Sequence, residues 1–520
     1  MYAMHGPAGR RYNLPMPEKP DIRRVVIAGG GTAGWLAAAV LSRNFHGIVD
    51  LTLIESEEIG TVGVGESTIP PIRSLHKLLQ IDEQEFMRAT AATFKLGISF
   101  EGWRTGSDRY IHSFGVNGRS AWACEFHHFW MHGLTQGITA ELGEYCLELQ
   151  AAKEHKFMIA PQGEINYAYH LDAGIYAKFL RKFSEGYGAR RVEGKIREVR
   201  QNAESGFVEA LVLESGQVVE GDLFIDCTGF RGLLIEQTLK TGYEDWNHWL
   251  PCDTAVAVQT ESVGPAVPYT RAIAHEAGWR WRIPLQHRVG NGLVFCSRYM
   301  SDSDATEKLL RDVEGKTIIQ PRVIKFRTGR RLKAWNKNVV ALGLSSGFVE
   351  PLESTSIHLI MTGVSRLVHY FPFGGVTQAF VDQYNEDLRL EAEAVRDFII
   401  LHYHVTDRVD TPFWRACRDM RVPELLARRI QMFRERAHAW RGENEIFQLD
   451  SWVQVMFGQG VSPANYNHMT EGMKGPELAR FLEGIRTTIS RSVASMPAHQ
   501  EFLDRYCRAS DEVWKNASMK

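Results

Sequence analysis

No Cys-x-x-Cys pair occurs in this chain of 520 residues, and its seven cysteines are odd in number. Cys124, Cys146, Cys227, Cys252, Cys296, Cys417 and Cys507 therefore read as reduced, mostly structural thiols, which points to the cytoplasm. No cluster of metal-ligating residues with ligand spacing stands out, so no metal is expected. Nor is there an apolar run long enough to span a bilayer. Residues 1–20, MYAMHGPAGRRYNLPMPEKP, lack the apolar segment of a secretory signal and read as a mobile leader. An excess of charge is missing too: 60 basic against 62 acidic side chains leave a net charge of −2. That balance excludes the electrostatic footprint of a nucleic-acid binder or of a protein drawn to an anionic membrane. Internal repeats and low-complexity tracts are absent.

What the chain does have is core material and glycine turns. Hydrophobic residues make up 44% of it, enough for a sizeable core. Val25 to Ala28 form a short apolar run fit for a buried parallel strand. GGGTAG follows, then Trp35 to Leu41 as a helix, then the strand-like IVDLTLIESEE ending at Glu55, which together make a βαβ opening. Gly29, Gly31 and Gly34 occupy the three glycines of GxGxxG. The first permits the tight turn, the second a close pyrophosphate, the third the packing of helix on strand. Thr32 and Ala33 complete the turn, where free N–H groups at the helix start favour phosphate. Glu55, at the end of the next strand, suits the hydroxyls of an adenosine ribose.

NAD and FAD share that fingerprint, and two later stretches favour FAD. Residues 338–351, NVVALGLSSGFVEP, read as a strand, a glycine turn at Gly343 and a helix start. Residues 222–232, DLFIDCTGFRG, read as a strand ending in another glycine turn. The region from about 160 to 350 alternates short strand-like runs with turns, and from about residue 376 the periodicity becomes helical. The fold expected is α/β. A Rossmann-like FAD-binding module of the flavoprotein monooxygenase type covers 21–375, and a mostly helical C-terminal substrate-covering module covers 376–520.

One residue stands out of its surroundings. Residues 91–100, AATFKLGISF, hold a single lysine, Lys95, in a run otherwise apolar or small. Taken alone, such a lysine snorkels its amine to water along an apolar stem. The other reading is a caged amine that chemistry requires, and the local sequence leaves both open.

Its company narrows the choice. GGGTAGW, VGVGESTIP at 62–70, FKLGISFEGW, GWRWRIP at 278–284, EPLESTSI at 350–357 and DTPFW at 410–414 occur in this order. Together they resemble the flavin-dependent tryptophan halogenase family over about residues 22 to 416. The resemblance implies an enzyme that takes reduced FAD from a separate flavin reductase. With oxygen it would oxidise chloride or bromide to hypohalous acid. That species would pass through an internal tunnel to a lysine beside an aromatic substrate, which is halogenated by electrophilic substitution.

Carried onto this chain, the essential lysine falls on Lys95 and the essential glutamate on Glu353, the second acid of EPLES. The halide would rest near the backbone amides of Thr355 and Ser356. Ser356 stands where the family usually has glycine, which keeps the N–H and changes the room around it. GVGEST, with Gly65 and Ser67, resembles the strap that links flavin and substrate sites. YIHSFG at 110–115 supplies His112 and Phe114 as one aromatic wall, and Trp452 would supply the opposite wall. Trp279 and Trp281 of GWRWRIP share one face of a strand. Lys95 would hydrogen-bond the hypohalous acid or carry its halogen as a haloamine. Glu353 would position the oxidant or take the ring proton as a general base; the structural alternative is a carboxylate satisfying a helix start.

Members acting on free tryptophan carry an NFW…NYY-like segment that grips the amino acid. The corresponding region here, ENEIFQLDSWVQVMFGQGVSPANYNHM, lacks it, and the region after HSFG lacks the longer insertion of some members. A more open site follows as the expectation. The substrate would be indole, a substituted indole or a peptide-borne tryptophan rather than free tryptophan. A homodimer is the family-level expectation. An FAD-dependent aromatic hydroxylase is the alternative activity, but Leu344 follows Gly343 where such enzymes usually place an acid, and Lys95 would lack a task. A flavin-binding scaffold without catalysis would need neither Lys95 nor Glu353.

Overall fold

The computed structural model describes residues 22–59, 65–138, 140–159 and 165–510. The expected leader and the first residues of the strap motif, 62–64, lie outside the described residues.

Val25, Val26, Ile27 and Ala28 offer no polar side chain to water, and all four are buried in the middle of a six-stranded sheet. Its order is Trp335–Asn336, Val339–Ala341, Leu223–Asp226, Arg24–Ala28, Asp50–Glu55, Arg190–Glu193. Every pairing is parallel except that of the edge strand Trp335–Asn336. The first helix runs Thr32–Asn44 and so starts earlier than the apolar pattern from Trp35 indicates, because the turn residues that open it carry no apolar signal. Helices Ala173–Gly186 and Asp302–Asp312 interrupt the region expected to alternate strands and turns. The second buries only Ala305 and Leu309, too few apolar positions for the period to show.

A second, seven-stranded sheet is mainly antiparallel and carries GWRWRIP as the strand Gly278–Pro284. Trp279 and Trp281 are buried on one face, with ring centroids 6.1 Å apart. A third sheet has only three short strands, yet it organises the site. Gly65–Ser67 and Thr93–Lys95 both pair antiparallel with Ala168–Asp172, and Ser67 and Thr93 both lie opposite His170. Two segments far apart in sequence, the strap and the lysine run, are thereby set side by side.

Every regular element described from Gln378 onward is helical. The longest helix, Gln378–His404, buries Phe398 and His402 in a core that also holds Phe100, Trp103, Trp279, Trp414 and Trp452. The helical part is therefore packed directly on the second sheet. All seven cysteines are free.

Candidate active site

The glycine turn behaves as its spacing demands. Gly29 has φ +108°, and a Cβ there would lie 2.3 Å from the Cys227 carbonyl oxygen. A Cβ on Gly34 would lie 1.9 Å from the Gly29 oxygen, so helix and strand meet at that point. At Gly31 a Cβ would meet nothing within 4 Å among the described residues, because Gly31 opens onto a cavity of about 350 Å³. Gly31 caps the helix without any side-chain hydrogen bond, which leaves the N–H groups of the first turn available to an anion. Thr32, Ala33, Gly65, Ser67 and Gly343 line the same cavity. Glu55 does not line it: its carboxylate accepts from Arg191 Nε at 2.5 Å and Trp35 Nε1 at 3.1 Å. The segment after Val339–Ala341 turns at Gly343, with φ +67°, but makes only a short 3-10 turn there. The long helix begins later, at Ser356.

The cavity extends past Trp279 and Trp281 to Ser354 and Ser356. Ser354 adopts a left-handed conformation, φ +60°. That residue ends the turn Pro351–Glu353 and redirects the chain into the helix Ser356–His369. Thr355 caps this helix with no side-chain hydrogen bond, and its buried Oγ1 has no partner among the described residues. Free backbone donors and an orphaned hydroxyl therefore gather where the cavity meets a helix N-terminus, an arrangement suited to a small anion.

Lys95 is fully buried and does not line the cavity. Its Nζ donates to the Thr68 carbonyl at 3.0 Å and to Ser354 Oγ at 2.9 Å, and it lies 5.0 Å from the centroid of the Phe114 ring. Snorkelling is thereby excluded. Burial pulls its pKa down to about 7, partly offset by the charge of Glu353. Thr68 continues the strap strand, so the strap reaches from the cavity, at Gly65 and Ser67, to the amine.

Glu353 is 1% exposed. Burial alone would raise its pKa, but His112 and His402 prevail and hold it at about 2. His112 Nδ1 lies 3.0 Å from both carboxylate oxygens, and His402 Nε2 lies 2.9 Å from one. Its neighbour in the motif behaves oppositely. Glu350 accepts from Trp279 Nε1 at 2.9 Å and from the Tyr403 hydroxyl at 2.7 Å, and burial pushes it up to about 7 against those hydrogen bonds. GWRWRIP and EPLES are thus joined by a Trp279–Glu350 hydrogen bond.

The aromatic wall is more crowded than a simple sandwich. His112 contacts Phe398 at 5.6 Å and Phe447 at 6.4 Å between centroids. Phe447 stacks on Phe398 at 3.8 Å, and Phe398 meets Trp452 edge-on at 4.8 Å. Trp452 is therefore linked to His112 through Phe398, and the Arg429 guanidinium lies 4.2 Å from the Trp452 ring. His112, Phe398, Phe447 and Trp452 are all buried.

Three participants escaped the motif reading. Ser354 stands beside Glu353 in EPLES, yet its bond to Lys95 depends on a backbone turn that sequence does not display. His402 follows the apolar run FIIL on a buried helix, the same kind of signal that Lys95 gives. Phe447 is one more aromatic in an aromatic-rich core and carries no distinguishing signal. Among the described residues, Cys124, Glu125 and His128 are able to bring three ligand atoms within 4.8 Å of one another, which the cysteine spacing did not reveal. His128 Nδ1 there accepts the Asn467 N–H at 3.2 Å, and burial pushes the Cys124 thiol up to about 11.

A dinucleotide turn, a strap and a buried lysine held behind Ser354 at the cavity wall fit a flavin-dependent oxidoreductase of the halogenase class. A family model described as tryptophan halogenase matches residues 24–475, and the chain belongs to that family. FAD is the flavin that the family implies. The chain is 52% identical in structural alignment to a flavin-dependent halogenase from Xanthomonas campestris, with a TM-score of 0.93 over 94% of this chain and 99% of that one. A flavin-dependent halogenase from Brevundimonas sp. BAL3 gives 45% identity and a TM-score of 0.90 over 94% and 99% of the two chains. A tryptophan 7-halogenase from Lentzea aerocolonigenes is 35% identical over 442 residues, 79% of this chain and 82% of that protein.

Proposed function

We propose that this halogenase directs hypohalous acid through Lys95 onto an indole-type aromatic ring other than that of free tryptophan. The observation that carries the reading is the buried amine of Lys95, tied to both the strap and the cavity wall. Bound reduced FAD, delivered by a flavin reductase, together with oxygen would supply the oxidising equivalent that converts chloride or bromide to hypohalous acid. Gly31, Thr32 and Ala33 would hold its phosphates, with Gly65, Ser67 and Gly343 around the remainder. The helix start at Thr355 and Ser356 would hold the halide.

The residues then divide the labour. The two acceptors already on Nζ leave one N–H of the ammonium for the oxidant. Donation to the oxygen of hypohalous acid makes its halogen more electrophilic and fixes its position. The aromatic carbon takes the halogen, the departing hydroxide takes a proton from the Lys95 ammonium and leaves as water, and the ring carbon loses its proton. Glu353, ionised between two imidazoles, orients that exchange and accepts the ring proton. The two residues then exchange a proton to reset. The rings of His112 and Phe114 orient an electron-rich substrate by its faces. Phe447 and Phe398 carry no charge, and the Arg429 guanidinium beside Trp452 is already paired with Glu445, which favours a substrate without an amino-acid headgroup.

The test supplies FAD, a flavin reductase, NADH, oxygen, bromide and indole. Mass spectrometry should show the isotope doublet of a brominated indole. Hydroxylated indole without halogen would overturn the reading in favour of the aromatic hydroxylase.

A further inference from the structure

Ser67 lines the cavity and is the outer end of a buried hydrogen-bond chain in which every proton is accounted for. Ser67 Oγ lies 3.0 Å from Thr270 Oγ1, which lies 2.9 Å from His170 Nε2. His170 Nδ1 lies 3.0 Å from Thr93 Oγ1, and Thr93 donates to the Pro284 carbonyl at 2.7 Å. All four side chains are buried.

The carbonyl of Pro284 only accepts, so the single hydroxyl proton of Thr93 is committed to it. Thr93 must then accept from His170, which places the imidazole proton on Nδ1. Burial, with the nearby Lys95 charge, keeps His170 well below its ordinary pKa, and a neutral ring has no second proton. Its Nε2 is therefore a lone pair, and Thr270 donates to it. Thr270 in turn accepts from Ser67. The Ser67 proton thus points away from the cavity, and only its lone pairs remain to face a ligand.

We propose that Ser67 Oγ is a fixed acceptor for an N–H of the flavin ring, and that this makes the site favour reduced over oxidised FAD. The inference rests on the reading that the cavity holds FAD. A reduced flavin carries an N–H at N5 where the oxidised ring carries a lone pair. A freely rotating hydroxyl would serve both. A hydroxyl locked as an acceptor rewards the donor and offers the lone pair no hydrogen bond. Thr270 also lines the cavity, but its proton is committed to His170, so it acts here as a positioning residue that holds the Ser67 proton in place.

Anaerobic titrations of the full chain with oxidised and with reduced FAD test the proposal. The wild type should bind reduced FAD more tightly. Ser67→Ala should weaken reduced-FAD binding by about tenfold and leave oxidised-FAD binding within about twofold. For the two-electron couple, that lowers the potential of the bound flavin by about 30 mV. Thr270→Val should remove the preference although Ser67 is intact, and Thr270→Ser should keep it. An unchanged ratio of the two affinities in Ser67→Ala, or equal weakening of both, overturns the inference. A wild type that binds neither form overturns instead the assignment of the cavity to FAD.

Discussion

Lys95 Nζ donates to Ser354 Oγ at 2.9 Å, and of these two residues only Ser354 lines the cavity. The amine and the cavity are therefore adjacent but separated by one side chain. Ser354 owes its position to a left-handed turn at φ +60°, which also carries Glu353 to His112 and His402. One turn thus sets the acid, the contact to the lysine and the start of the helix that receives the halide in the proposed function. Its strain is held by the packing around it.

Glu353→Gln should lower bromination by about a hundredfold while FAD affinity stays within about twofold. The substitution keeps the size of the side chain and removes the charge held between His112 and His402. Single-turnover product formation and a flavin titration measure the two quantities. Loss of FAD binding would show that Glu353 supports the cavity rather than the chemistry.

Halogenation should fall as pH rises through about 7, where burial has brought the Lys95 ammonium. Below that value the amine is protonated and has an N–H to give; above it the donor is lost. Glu353, held at about 2, stays ionised throughout and adds no inflection. The rate of product formation at saturating reduced FAD gives the profile. A rate that rises through the same range would favour a haloamine on the neutral lysine.

Glu350→Gln should change stability rather than chemistry. Burial raises Glu350 from 4.5 to about 7, so its contribution is complete at pH below 4.5 and is lost as pH rises through about 7. The amide keeps an acceptor for Trp279 and never ionises. The variant should therefore gain about 3 kcal/mol relative to the wild type above neutrality and nothing in acid. Urea unfolding across pH reads the difference directly.

Phe447→Ala should open the aromatic cover. Phe447 stacks on Phe398 and fills space beside His112, so on the proposed function a substrate reaching His112 would displace it. The expected result is a KM for bulky substituted indoles lower by about fivefold, at a stability cost of about 3 kcal/mol. An unchanged KM would place substrate entry elsewhere.

Much of this was legible in the chain itself. Gly29 and Gly34 announced the turn because each solves a steric problem that only glycine solves, and Gly31 because its bare Cα faces the cavity. Lys95 and Glu353 were marked by polar chemistry in apolar or motif-dense settings. The helix starting at Thr32 rather than Trp35 was hidden because its first turn buries no large side chain. Ser354, His402 and the ring order His112–Phe398–Trp452 arise from backbone turns and packing between distant segments, which local pattern does not encode. The first residues of the strap, 62–64, lie outside the described region, so that motif is placed only from Gly65 onward.

The most direct test of the account replaces Lys95 by Met, which fills the buried site without an amine. Bromide, indole, reduced FAD and oxygen are supplied, and brominated indole and hydrogen peroxide are measured together. The account predicts bromination reduced by at least about a hundredfold, with FAD still bound and flavin oxidation continuing. Bromination at the wild-type rate and regiochemistry would contradict it, because the oxidant would then reach the ring without passing Lys95.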